Sequence, residues 1–130
     1  MHVVAKALLD SDLIIWHLRG REHAHRWIRE LSRAGIPSCS ALSVTEIVAG
    51  MRRGEEPDTR AFLEALNVIP VSGEIAWRAG DLIHDYARRG ITLDFVDAII
   101  AATCLTYRLR LATYNVRHFP MPLQRAAALS

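Results

Sequence analysis

Short apolar runs and amphipathic stretches take turns along the whole chain. Val3 to Leu9 is apolar apart from Lys6 and reads as a buried strand, a run that periodicity alone does not separate from helix. Asp10-Ser-Asp12 ends it, and Leu13-Ile-Ile-Trp16 starts a helix with Ser11 or Asp12 as cap and Gly20 as its stop. Ala24, Trp27, Ile28 and Leu31 stand at helical spacing within Glu22 to Arg33, and Gly35 closes that segment. Ile36 to Ser40 reads as a brief strand. Ser43-Val-Thr-Glu46 then has the pattern of a capping box, in which Glu46 reaches back to the Ser43 amide. Pro57 opens a helix through Phe62, Leu63 and Leu66, and Val68 to Val71 makes a third strand. Ile75, Ala76, Trp77, Ala79, Leu82, Ile83 and Tyr86 mark a long amphipathic helix from Gly73 to Arg89.

The next helix, within Thr92 to Tyr107, is apolar on nearly every side, which predicts a core position. Leu109 to Thr113 reads as a fourth strand leading into Asn115 to Phe119, and the alanine-rich tail is expected to be loosely ordered. Strands alternating with helices predict an α/β fold with three layers, a short and mostly parallel sheet flanked by helices. No repeat or linker interrupts the pattern, so residues 1–130 are expected to form a single domain.

Composition adds three limits. The chain is 51% hydrophobic and 23% charged, a balance of folded soluble proteins rather than disordered ones. Its formal net charge of +2 is too small to establish nucleic-acid binding. Every basic residue except Lys6 is arginine, which suits bidentate phosphate contacts and equally fits a G+C-rich genome. Cys39 and Cys104 lie in apolar surroundings and read as reduced core residues, with no disulfide or metal-knuckle spacing. The first apolar run is too short for a signal peptide or a membrane span, so a cytoplasmic protein is expected.

The candidate chemistry lies in the acids. Asp94 and Asp97 fall in one helical turn, where a cap needs only one carboxylate; Asp94 fits that cap. In a parallel sheet, functional residues gather at the carboxyl ends of strands, beside the point where strand order reverses. Asp10, Glu46, Asp97 and Asn115 each follow a strand or begin a helix, so the topology predicts that they converge. Carboxylates brought together repel one another unless a hard cation joins them, and Mg²⁺ or Mn²⁺ suits oxygen ligands.

Four segments then resemble the PIN-domain nucleases, and most closely the VapC-type toxins of type II toxin–antitoxin pairs. They are Leu8 to Ile15, Ser43 to Gly50, Asp97 to Ala102 and Leu111 to Phe119. The resemblance spans almost the whole chain in the right order. It implies a Mg²⁺- or Mn²⁺-dependent endoribonuclease acting on structured RNA, commonly tRNA or rRNA. The family's metal-binding acids fall on Asp10, Glu46 and Asp97. Its fourth position falls on Asn115, which suggests contact with a second metal through water. Thr113 matches a small hydroxyl residue near the site, while Asp12 and Asp94 lie beside motif positions without an assigned role. The resemblance also implies a VapB-type antitoxin, homodimerisation, and growth arrest when the toxin is freed.

Other readings compete. A strand-end Asp10 also suits haloacid-dehalogenase phosphotransferases and receiver domains, but both use a late lysine, and Lys6 lies in the first strand. A catalytically idle binding module on the same fold is the remaining alternative. His17, His23 and His25 read as solvated, since i,i+2 positions do not face one point on a helix. His118 reads as a surface or packing residue. Trp16, Trp27 and Trp77 read as core or dimer-interface side chains. Arg19, Arg21, Arg52, Arg53 and Arg117 are candidate guides for RNA phosphates.

Overall fold

The computed structural model describes residues 5–128, so Val3 and Val4 of the first predicted strand lie outside the described residues. The elements follow in the order β1 (Ala7–Leu9), α1 (Ser11–Leu18), α2 (Glu22–Leu31), β2 (Ser38–Ser40), α3 (Ala41–Ala49), α4 (Glu56–Glu64), β3 (Asn67–Ile69), α5 (Gly73–Arg88), α6 (Phe95–Tyr107) and β4 (Arg110–Ala112). All three strand pairings are parallel, in the order β3-β2-β1-β4. The chain therefore steps outward from β1 through β2 to β3, then returns to the far side of β1 with β4. That reversal leaves a crevice at the carboxyl ends of β1 and β4.

Alternation within each strand feeds two cores. Leu8, Ile69 and Leu111 point to the side covered by α5 and α6, where Ile75, Ala79, Ile100 and Ala101 are buried. Ala7, Leu9, Cys39 and Ala112 point to the other side, against Leu13, Ile14, Trp27 and Ile47. β1, β2 and β4 are thus covered on both faces, whereas β3 at the sheet edge leaves Asn67 and Val68 exposed. Both cysteines are buried and reduced.

Several expectations need correction. α1 is capped by Asp10 rather than by Ser11 or Asp12, because the helix starts directly after β1. α3 begins at Ala41 and is capped by Ser40, whose Oγ accepts the Leu42 amide at 3.1 Å. The capping box at Ser43 does not form: β2 runs into α3 without a loop, so the last strand residue takes the cap. Ser43 is buried instead, its Oγ without a hydrogen-bond partner. α6 is buried along its middle, yet Phe95 is 71% and Tyr107 52% exposed, because the sheet and α5 leave its outer stripe to solvent. Trp27 belongs to the core, whereas Trp77 is 77% exposed. Ile75 and Ala79 define the buried stripe of α5, and a residue two positions after Ile75 points to the opposite side.

Candidate active site

The crevice beyond β1 and β4 opens into a cavity of about 630 Å³, whose lining includes Asp10, Asp12, Glu46, Asp97, Asn115 and Arg117. The four residues expected to converge do so. Each arrives from a different part of the fold.

Asp10 follows β1 and is buried. Its Oδ1 accepts the Ser11 amide at 2.8 Å, and its Oδ2 accepts the Thr113 hydroxyl at 2.7 Å. Thr113 follows β4, so the adjacent ends of two paired strands fix this carboxylate from both sides. The Asp10 amide also donates to the Ala112 carbonyl at 2.9 Å, extending the ladder into the site. Burial raises the proton affinity of Asp10 above the ordinary carboxylate range, and the two hydrogen bonds oppose it.

Glu46 projects from α3 and is exposed toward the cavity. Its Oε1 accepts the Ser11 hydroxyl at 2.6 Å. Ser11 therefore joins two of the acids, donating through its backbone to Asp10 and through its side chain to Glu46. Asp97 sits in the first turn of α6, where the helix dipole favours an anion. Its Oδ2 lies 3.4 Å from His118 Nδ1. Burial pushes the Asp97 carboxyl up to about 6, His118 works against that rise, and Asp10, Asp94 and Glu46 add to it.

Asp12 also lines the cavity. Its Oδ1 accepts the Leu13 amide at 2.6 Å and its Oδ2 the Tyr114 amide at 3.0 Å. Burial, then the neighbouring Asp10, pushes it up to about 6. Asn115 donates its backbone N–H to Thr113 Oγ1 at 2.9 Å, and the residue lines the cavity. Asp94 caps α6 through the Val96 amide at 3.0 Å, as expected.

Sequence reading passed over three features. Ser11 reads as a helix cap, and its bridge to Glu46 depends on how α1 meets α3. Asp12 shares the apparent capping segment, so its tie to Tyr114, 102 residues away, has no local signal. His118 reads as a surface residue, and it is exposed, yet it pairs with Asp97. Of the five arginines singled out, Arg117 lines the cavity, whereas Arg21 lies over the Trp16 ring at 4.7 Å.

The donors are carboxylate, amide and hydroxyl oxygens, a hard set that fits Mg²⁺ or Mn²⁺. Burial is the main cause of the raised proton affinities of Asp10, Asp12 and Asp97, and neighbouring carboxylates add to it at Asp12 and Asp97. Among the described residues, no three His, Cys, Asp or Glu side chains are drawn into a ready-made chelate.

The same fold is found in known proteins. A family model described as PIN domain matches residues 7–121. Ribonuclease VapC10 of Mycobacterium tuberculosis is 40% identical over 114 residues, covering 88% of this chain and 86% of that protein. Ribonuclease VapC19 of the same species is 36% identical over 115 residues, covering 88% and 92%. Among solved structures, a toxin–antitoxin complex from Klebsiella pneumoniae superposes with a TM-score of 0.79 at 28% identity, covering 95% of this chain and 98% of that one. A DNA-bound VapBC from Salmonella typhimurium has the same fold, with a TM-score of 0.80 at 21% identity over 94% and 96%. With its four-stranded parallel sheet, its acids at the β1/β4 crevice and these relatives, the chain belongs to the PIN-domain family, among the proteins of VapC type.

Proposed function

We propose that this protein is a divalent-metal-dependent endoribonuclease, the toxin of a type II toxin–antitoxin pair. The observation that carries the reading is the meeting of Asp10, Glu46 and Asp97 in one cavity, with Ser11 and Thr113 orienting the first two. Relatives named ribonucleases support the reaction class.

Asp10, Glu46 and Asp97 are the residues that would hold Mg²⁺ or Mn²⁺, which when bound lowers the pKa of water and offsets charge on a phosphodiester. The protein's own groups supply the rest. Ser11 and Thr113 fix Asp10 and favour its ionised form against the effect of burial, and Ser11 turns Glu46 toward the cavity. His118 holds Asp97 from the open side. Arg117 and Asn115 stand at the rim, where a guanidinium and an amide donate to phosphate oxygens. Water attacks phosphorus, the bond to the 3′ oxygen breaks, and the products carry a 5′-phosphate and a 3′-hydroxyl.

The substrates are structured RNAs, tRNA or rRNA, so that cleavage stops translation in the cytoplasm. A VapB-type antitoxin is the natural restraint, in keeping with neighbours solved as toxin–antitoxin complexes, and the toxin works as a homodimer.

The test is cleavage of total tRNA and rRNA by purified protein in Mg²⁺, Mn²⁺ or EDTA, with Glu46→Gln alongside. The reading predicts cutting that needs metal and that Glu46→Gln abolishes while its circular dichroism stays native. Undiminished cutting by the variant contradicts it. A folded protein that never cleaves RNA in either metal is the result expected of an idle binding module.

A further inference from the structure

His17 and His25 come from different helices, so spacing along one helix does not describe them. His17 lies in the last turn of α1 and His25 in the first turn of α2. The turn through Gly20, with φ at 81°, folds α2 back and brings the two imidazoles together. Their Nδ1 atoms stand 3.3 Å apart. The rings are parallel to within 2° with centroids 5.1 Å apart, so the nitrogens are turned toward one another across an offset. Phe62 of α4 packs against His17 with ring centroids 4.5 Å apart. Neither histidine lines the acid cavity.

The nitrogen separation suits two relations. One is an N–H···N hydrogen bond, with one ring donating and the other accepting. Two imidazole nitrogens bound at about 2.0–2.1 Å to one tetrahedral ion stand about 3.3–3.4 Å apart. The observed 3.3 Å fits both, so the pair already stands at the separation that a shared ion needs. Burial, and then the neighbouring His25, lowers the proton affinity of His17, which favours the neutral imidazole that ligates metals. Bringing both lone pairs onto one ion takes a turn about χ2, a broad torsion in histidine.

We propose that His17 and His25 form a two-imidazole site for a borderline divalent transition metal, Zn²⁺, Ni²⁺ or Cu²⁺, separate from the acid cavity. Imidazole suits these ions and holds Mg²⁺ and Mn²⁺ poorly, so nitrogen ligation marks this place apart from the oxygen donors of the acid cavity. Among the described residues no third His, Cys, Asp or Glu completes the set. Water fills the remaining positions, and the affinity falls in the micromolar range. Occupation ties the end of α1 to the start of α2.

The test uses untagged protein carrying His2→Gln, which removes an imidazole near the amino terminus that binds Cu²⁺ on its own. Calorimetric titration with Zn²⁺ and Cu²⁺ is paired with electron paramagnetic resonance of the Cu²⁺ form. The expected result is a Cu²⁺ signal with couplings to two imidazole nitrogens, distinct from any oxygen-ligated Cu²⁺ held by the acid cavity. His17→Gln and His25→Gln, each checked for native circular dichroism, weaken that binding at least tenfold, whereas Asp97→Asn leaves it intact. Absence of a two-nitrogen Cu²⁺ signal, or its persistence in both histidine variants, overturns the proposal and leaves a hydrogen-bonded pair.

Discussion

Ser11 donates one hydrogen bond to Asp10 and another, at 2.6 Å, to Glu46, so a small side chain sets the relation between two acids on different elements. A hydroxyl donating to a carboxylate makes a short, charge-assisted bond, and groups that orient metal ligands typically govern affinity by 10–100-fold. Ser11→Ala keeps the backbone bond to Asp10 and frees Glu46. The variant is expected to need roughly 10–100-fold more Mg²⁺ or Mn²⁺ for half-maximal cleavage, with a smaller loss at saturating metal. A metal titration of the cleavage rate reads this split. Asp97 offers a second check at this scale, without catalysis. Its carboxyl is raised on folding from 3.8 to about 6, so the folded state holds a proton that the unfolded chain has released. The stability linked to that proton is fully present below pH 3.8 and is lost as pH climbs through about 6. Asp97→Asn removes the cost of the buried charge. In EDTA, urea titrations should find it more stable than the parent at pH 7, on the order of 1 kcal/mol after allowance for partial exposure, and little changed near pH 4.

Helix starts decide where the acids end up. α6 begins at Phe95 because Asp94 caps it, and that start fixes Asp97 on the turn facing the crevice. Asp94→Ala is expected to cost about 1 kcal/mol in chemical denaturation, and Asp94→Asn, which keeps a capping oxygen, close to none. A merely solvated Asp94 would leave both variants at parental stability. α3 shows the opposite lesson about legibility. Its sequence holds a complete capping box at Ser43 and Glu46, yet Ser40 takes the cap because the strand before it leads straight in. A local pattern describes what a segment can do alone; the junction with β2 determines what it does. Glu46, released from that backbone role, reaches Ser11 instead.

For the whole molecule, the alternation of apolar runs and amphipathic stretches was enough to give the layers and the parallel sheet. Topology then brought Asp10, Glu46, Asp97 and Asn115 to one crevice, as strand ends beside a reversal of order should be brought. What sequence left hidden are contacts across the fold: Ser11 with Glu46, Asp12 with Tyr114, and His118 with Asp97. Each joins residues with no periodic relation, so its signal exists only after packing. Trp77 lies outside the core for a related reason, since its helix has one buried stripe and the sequence places apolar residues on more than one. The claim that binds these levels together is that the acids hold a divalent ion. Titration of purified protein with Mn²⁺, followed by the loss of the free-ion paramagnetic resonance signal, measures it without reference to any RNA. Wild type should bind Mn²⁺ and Asp97→Asn should bind at least tenfold more weakly while still folded. Equal binding by both proteins, or none by wild type at millimolar Mn²⁺, would contradict it.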